Sequence, residues 1–370
     1  MSSQPQLVDI QQSSTDVRTP RAFTAEHLLY GLIFLIALFT RFWDLGSRAL
    51  HHDESEHAYF SWIFAIGGGY KHDPLLHGPF LFHVGALMFW LFGASNAMAR
   101  AFPALVGVVV VMLPWLLRSE RLLGRWGALT ASVLLLISPT ILYYSRFLRH
   151  DIYCLAATFL LFIAIVRYVD AADRKWAILG GVAIGLLLCT KEVSFIVLFL
   201  FVTFLAVAVA YRVAPALFAV AAGTLAVLGV VVKLVQAGGA APLPAIPWDN
   251  PTGAQIRHFA AQLIQHPLVI GALGVLVVGL VIAPWVLDRA RKPELGWVDG
   301  LLRDVPDDST AAAFRELLRE RRGLSAGIVL CLGIFVLLYT SLFTNMEGLA
   351  SGTFGALGYW LGQQNVQRGA

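Results

Sequence analysis

Long apolar runs separated by short polar breaks dominate this chain. The runs occupy roughly 28–43, 79–93, 101–117, 126–144, 152–169, 176–190, 193–211, 213–235, 267–287 and 324–343. Most of them approach the twenty or so residues that a helix needs to cross a hydrocarbon core about 30 Å thick. The pattern therefore predicts an all-α polytopic membrane protein.

Composition agrees with this prediction. The 370 residues are 58% hydrophobic and 14% charged, with a mean hydropathy of +0.72. A pI near 9.0 does not indicate nucleic-acid binding, because lysine and arginine mark the cytoplasmic loops of such proteins. We expect no nucleic-acid partner. The three cysteines lie inside apolar runs and are expected to be small buried side chains (Cys154, Cys189 and Cys331).

Positive charge decides whether the short run 79–93 crosses the membrane. With a cytoplasmic amino terminus and 79–93 outside the bilayer, 17 of the 27 lysines and arginines fall inside. If 79–93 crosses, about 9 fall inside and 18 outside, which contradicts the positive-inside rule. We therefore predict nine spanning helices and two juxtamembrane helices in a large first external loop. A rival arrangement, ten spans with the amino terminus outside, also satisfies the rule and places Asp53 and Asp151 on opposite faces.

The predicted organisation has three parts in the plasma membrane, and the first span is an uncleaved anchor. They are a disordered cytoplasmic tail (1–24), a catalytic module (25–212, with the first external loop at 44–100) and further membrane helices (213–370, with an external loop at 236–266 and a cytoplasmic loop at 288–323). Amphipathic helices are predicted at 253–265 and after Ser309, which can cap a helix. Gly181 and Gly185 predict a close helix contact.

The first polar stretch, His51 to His57, holds three carboxylates and three imidazoles in seven residues. Such residues must face water at a membrane surface. If Asp53 opens a helix, Asp53 and His57 lie one turn apart on one face, so one carboxylate can point into a cleft. The alternative is that Asp53 and Glu54 only stabilise the helix start through its dipole.

Two further polar breaks add cations and aromatic rings. The break 143–153 contains Arg146, Arg149 and Asp151, flanked by tyrosines, which suits an anionic head group and a sugar better than a plain loop. The very short turn 190–192 contains Lys191, whose ammonium can reach a lipid phosphate. A mutually neutralising pair of Lys191 and Glu192 is the alternative.

A fourth group contains His72 and His77, next to prolines and a glycine that shape a loop. An alternative role for His77 is to bind a divalent metal together with Asp53, although the spacing matches no standard zinc motif. No cofactor is otherwise required.

These groups together suit one reaction. A sugar leaving a polyprenyl phosphate needs no general acid, so a base for the acceptor hydroxyl and cations for the phosphate are sufficient. The candidate residues are three acids (Asp53, Glu54 and Asp151), three phosphate-binding cations (Arg146, Arg149 and Lys191), and residues that shape the loops or contact substrate (His52, His57, His72, His77, Tyr143, Tyr144 and Tyr153).

The order of these motifs resembles the C-type glycosyltransferase superfamily. The resemblance rests on Asp-Glu early in the first loop, Arg-x-x-Pro at Arg100, the Tyr-Ser-Arg-x-x-Arg-x-Asp-x-Tyr break and the Thr-Lys turn. Relatives include protein O-mannosyltransferases, lipid A aminoarabinose transferases and rhizobial core-sugar transferases. The nearest branch has His-x-Asp-Glu-x-x-His and His-Gly-Pro, and some members are named flippase activity-associated proteins.

The resemblance covers about residues 28–200 and implies a membrane glycosyltransferase acting in protein or cell-envelope glycosylation. It implies that Asp53 is the first-loop catalytic acid, Asp151 the second-loop acid and Lys191 the donor-phosphate lysine. The implied partners are a polyprenyl-phosphate sugar and a glycan, lipid or protein acceptor. Relatives continue past 359–364, which leaves a truncated form open. The alternative function is a lipid-linked-sugar flippase or its accessory protein.

Overall fold

The computed structural model describes residues 24–213, 215–239, 242–244, 253–290, 300, 302, 306, 309–356 and 358–359. Within these residues every regular element is helical. The helices are α1 (Ala25–Phe42), α2 (His52–Ala65), α3 (Phe80–Phe92), α4 (Asn96–Met112), α5 (Gly124–Ile137), α6 (Pro139–Ser145), α7 (Asp151–Ala171), α8 (Arg174–Leu188), α9 (Val193–Val213), α10 (Pro215–Ala237), α11 (Gly253–Gln265), α12 (Pro267–Ala290), α13 (Thr310–Arg319) and α14 (Arg321–Tyr339). The predicted tail lies almost wholly outside the described residues, as do the 359–364 region beyond Tyr359 and parts of the loops 236–266 and 288–323.

Each predicted apolar run is helical, so the prediction of a multi-pass helical membrane protein is confirmed. Seven described helices are long and apolar enough to span, or eight if α5 and α6 form one bent span. The nine-span count stays a prediction, because α8 has only 15 residues. The 13 residues of α3 reach only about 20 Å at 1.5 Å per residue, less than a hydrocarbon core requires.

A proline separates α5 from α6 and bends the chain by 64°. Pro139 has no N–H to donate to the preceding turn, so α5 ends at Ile137. Ser138 then caps α6, its hydroxyl accepting from the backbone N–H of Ile141 at 3.4 Å. As a result, the polar segment after α6 lies at the end of the helix bundle.

The helix ends sort to two sides of the bundle. At one side Glu26, near the start of α1, pairs with Arg118 at 3.7 Å. At the other, the carbonyl of Thr40 near the end of α1 accepts from Arg146 at 2.8 Å. We call this second side the polar end and define it as residues 43–57, 70–79, 146–151 and 189–192.

The polar end gathers both predicted acids. Arg149 lies 3.3 Å from Asp53 and 3.7 Å from Asp151. The rival ten-span arrangement required these two acids on opposite faces, and it is therefore wrong.

Small residues bring α8 and α14 into close contact. A side chain on Gly181 would overlap the backbone carbonyl of Gly327, and one on Gly185 would press against Cys331. The predicted small-residue contact at Gly181 and Gly185 is confirmed. Helices are also present at both predicted amphipathic segments, and the hydroxyl of Ser309 accepts from Ala312 N at 3.2 Å as a cap.

Candidate functional site

Glu54 is the structural centre of the polar end. Its side chain is 1% exposed and accepts from Arg100 Nε at 2.7 Å and Arg100 Nη2 at 2.6 Å. The backbone N–H groups of His51 and Leu148 donate to it at 3.0 and 2.9 Å. Burial alone would raise the pKa of Glu54, but these hydrogen bonds outweigh burial and hold it below its usual value. Glu54 thus joins α2 to α4 and to the segment before α7.

Asp53, the neighbouring residue, has a different environment. Its side chain is 41% exposed, and its Oδ2 lies 3.3 Å from Arg149 Nη1. The same guanidinium reaches Asp151 Oδ2 through Nε at 3.7 Å, and Lys191 Nζ lies 2.9 Å from Asp151 Oδ1. We call these four residues the charged cluster (Asp53, Arg149, Asp151 and Lys191).

Three separate segments supply the charged cluster. Asp53 stands in the first turn of α2 and Asp151 is the first residue of α7, where a helix dipole favours a carboxylate. Lys191 lies in the turn between α8 and α9. Because Arg149 and Lys191 remain 35% and 20% exposed, a ligand arriving from solvent can reach both cations.

A row of three imidazoles, of which two are buried and one is partly exposed, lies near the cluster. The rings of His57 and His150 are 5.0 Å apart, and those of His150 and His77 are 5.3 Å apart. His57 Nδ1 donates to the carbonyl of Leu148 at 3.2 Å, and His150 Nε2 donates to that of Gly78 at 3.2 Å. Burial lowers the pKa of His57 to about 4 and that of His150 well below its usual value. Both rings are therefore neutral donors at physiological pH.

His72 is a further buried ring, next to the backbone of His77. Its Nε2 donates to the carbonyl of His77 at 3.1 Å, and its Nδ1 lies 2.8 Å from the hydroxyl of Ser351. Burial lowers its pKa to about 4. His72 thus connects the first loop to Ser351, in the segment after α14. The ring of Tyr339, the last residue of α14, lies 4.7 Å from the ring of His72.

Not every candidate joins the charged cluster. The described hydrogen bonds of Arg146 go to the carbonyls of Thr40 and Asp44, at 2.8 and 3.4 Å, so it holds the end of α1. Tyr143 stacks on Phe147, and the ring of Tyr144 lies beside it. Tyr153 is buried, with its ring edge-on to Phe80. His52 is exposed at the start of α2.

The turn 190–192 differs from the alternative drawn from the sequence. Lys191 pairs with Asp151, and Glu192 pairs with His77 at 2.7 Å. The mutually neutralising pair of Lys191 and Glu192 is therefore wrong.

Among the described residues, no group of three His, Cys, Asp or Glu side chains is arranged to hold a metal ion. A metal at Asp53 and His77 stays a prediction.

Sequence reasoning missed the partners of the predicted residues. Arg100 was noted only as part of a motif, and its pairing with Glu54 could have been anticipated because a buried carboxylate needs a cation. His150 and Glu192 stood beside candidates in the sequence, but no periodicity indicated which way they point.

Over part of the chain, a family match supports the resemblance to C-type glycosyltransferases. Residues 76–235 match the family described as dolichyl-phosphate-mannose-protein mannosyltransferase. A solved structure, the lipid A aminoarabinose transferase ArnT from Cupriavidus metallidurans bound to undecaprenyl phosphate, is similar at 17% identity with a TM-score of 0.40. The alignment covers 94% of this chain and 61% of that one, so the chain spans about three fifths of its length. A comparison with curated proteins found no match.

Proposed function

We propose that this protein is a membrane glycosyltransferase that moves a sugar from a polyprenyl-phosphate donor to an acceptor hydroxyl. The observation that carries the proposal is the charged cluster, in which two cations and two carboxylates meet at one end of the bundle. The match of residues 76–235 to a family of lipid-phosphate-dependent mannosyltransferases supports it.

Asp53 is the proposed general base. It is half-exposed and faces the cluster, whereas both oxygens of Glu54 are occupied by Arg100 and the backbone. The acceptor oxygen attacks the anomeric carbon opposite the phosphate, and its proton passes to Asp53. The bond between the anomeric carbon and the phosphate oxygen breaks, so the configuration inverts.

Lys191 and Arg149 are the proposed phosphate ligands. An ammonium has three donors, and the described hydrogen bond of Lys191 to Asp151 occupies one. As negative charge grows on the departing phosphate, the two cations stabilise it, and no general acid is required. Asp151 holds both cations in place before the donor binds.

We propose that the polar end faces the outside of the plasma membrane. Glu26 and its partners Arg118 and Arg125 lie at the opposite end. Both arginines belong to the 17 of 27 lysines and arginines that the predicted topology places inside, and this count supports a cytoplasmic amino terminus under the positive-inside rule.

Replacing Asp53 by Asn tests the proposal. We expect transfer to fall by about 10²- to 10⁴-fold, the usual contribution of a general base. The measurement is release of polyprenyl phosphate from a panel of radiolabelled polyprenyl-phosphate sugars by the full chain in proteoliposomes. Glu56→Gln, an exposed acid on the same helix, is the matched control and should retain wild-type rates.

Two outcomes would contradict the proposal. One is full transfer by Asp53→Asn. The other is movement of a labelled lipid-linked sugar between leaflets without any transfer, which would favour a flippase.

A further inference from the structure

Two charged neighbours in the turn between α8 and α9 point to different partners. Lys191 lies against Asp151, as described above. Glu192, only 7% exposed, places Oε2 at 2.7 Å from His77 Nδ1. A buried carboxylate with an imidazole partner from a loop more than a hundred residues away is a specific contact, because the Glu192 carboxylate would otherwise be buried unpaired.

Backbone contacts join the same two segments. The N–H of Gly78 donates to the carbonyl of Thr190 at 3.1 Å, and the N–H of Phe80 donates to that of Cys189 at 2.9 Å. A side chain at position 78 would overlap the Cys189 carbonyl, so glycine is required for this approach. The loop and the turn therefore act as one unit closed by the contact between His77 and Glu192.

His77 adopts a backbone conformation that it does not favour. Its φ of 66° is in the left-handed region, which non-glycine residues adopt only when their surroundings enforce it. Here the surroundings are Glu192, the ring of His150 and the bond from His72 to the His77 carbonyl. The side chain of His77 is consequently directed at the turn.

We propose that His77 and Glu192 form a positioning pair that holds the Lys191 ammonium where it binds the donor phosphate. This inference rests on the proposed function, which assigns that role to Lys191. The pair fixes the residue next to Lys191 and so orients the backbone from which the lysine extends to Asp151. Neither member of the pair touches the donor.

Substitutions of Glu192 and His77 test whether the pair positions Lys191 or only stabilises the fold. Glu192→Ala should weaken binding of polyprenyl phosphate about tenfold, which corresponds to about 1.4 kcal/mol. His77→Asn should bind like wild type, because its amide nitrogen replaces Nδ1 and can donate to Glu192. His77→Gln places its nitrogen farther out and should behave like Glu192→Ala. Glu56→Ala is the control at an exposed position.

Two readouts on the full chain in nanodiscs decide the inference. One is the affinity for polyprenyl phosphate, measured also in a Lys191→Met background, where Glu192→Ala should have no further effect. The other is acetylation of Lys191 by acetic anhydride, followed by mass spectrometry. Without the pair the ammonium should leave Asp151 and react several-fold faster.

The outcomes distinguish the inference from the proposed function. If wild type does not bind polyprenyl phosphate, the function is contradicted, and the acetylation rate still tests the pair. Unchanged acetylation in Glu192→Ala, or an equal loss of binding with and without Lys191, would overturn the inference. If Glu192→Ala does not fold, the comparison of His77→Asn with His77→Gln decides in the same way.

Discussion

The spans that support the polar end and the helices α9, α10 and α12 are similarly apolar in sequence but are built differently. In two spans that support the polar end, 61% of an 18-residue stretch that includes most of α4 and 50% of such a stretch in α7 are buried. The corresponding share is 6% for α9 and 0% for α10 and α12. Apolar sequence alone therefore does not determine burial in a membrane protein, because lipid satisfies an apolar face as well as protein does.

Polar groups account for the difference. At the polar end, ion pairs and hydrogen bonds between distant segments require tight approach, since unpaired polar groups in such a setting are costly. Between α10 and α12 lies instead an almost wholly apolar groove of about 530 Å³, lined by valines and glycines with one isoleucine and one threonine. The packed region is thus where the proposed chemistry lies, and the loose region provides apolar membrane helices.

The largest effect is expected from breaking the buried ion pair of the polar end. Glu54→Ala leaves Arg100 buried without its carboxylate, which should destabilise the fold by about 3–5 kcal/mol. Size-exclusion profiles and thermal unfolding midpoints of the detergent-solubilised protein measure this. Glu56→Ala should change stability by no more than about 0.5 kcal/mol. An unchanged thermal midpoint in Glu54→Ala would contradict this role of Glu54.

Acid should weaken the polar end selectively. The pKa values of His57 and His72 are about 4 in the fold, below the ordinary value of 6.5, so unfolding takes up protons as the pH falls from 6.5 toward 4. Their stabilisation is complete above pH 6.5. Between pH 7.5 and pH 5 each should contribute a loss of about 2 kcal/mol.

Unfolding midpoints at these two pH values test that prediction. His72→Asn should reduce the difference between them, whereas His258→Asn, at an exposed position on α11, should leave it unchanged. An equal acid sensitivity in all three proteins would show that the buried imidazoles are not its source.

A smaller loss of stability is expected at Gly181, a glycine that is packed against α14. Gly181→Ala places a methyl group against the backbone carbonyl of Gly327, so α8 and α14 must separate, at a cost of about 1–3 kcal/mol. The thermal midpoint should fall accordingly. No change would mean that α14 is not held against α8 in the membrane.

Periodicity and charge predicted much of the fold but less of the site. Apolar runs predicted the helices, and the positive-inside rule predicts that the run 79–93 stays outside the bilayer. Asp53, Asp151 and Lys191 could be singled out because polar residues between apolar runs lie at a membrane surface, and the predicted topology puts all three on the same side. The different environments of Asp53 and Glu54 could not be predicted from the sequence. Both residues stand in one helical turn, and only the position of Arg100 decides which of them is buried.

The pairing of His77 with Glu192 was also beyond the sequence. It depends on the approach of Gly78 to the carbonyl ends of α8, which involves residues more than a hundred positions apart. Local patterns report which face a residue occupies. They do not report which distant segment meets that face.

The smallest effect is expected in the loose region, at Gly274. A side chain there would meet no atom within 4 Å, so Gly274→Ala creates no overlap in α12. Alanine also favours a helix over glycine by about 0.5–1 kcal/mol, so the thermal midpoint should stay unchanged or rise slightly. Binding of polyprenyl phosphate should not change. If Gly274→Ala instead destabilised the protein as much as Gly181→Ala, this face of α12 would be packed against protein in the membrane, and the contrast between the two regions would be lost.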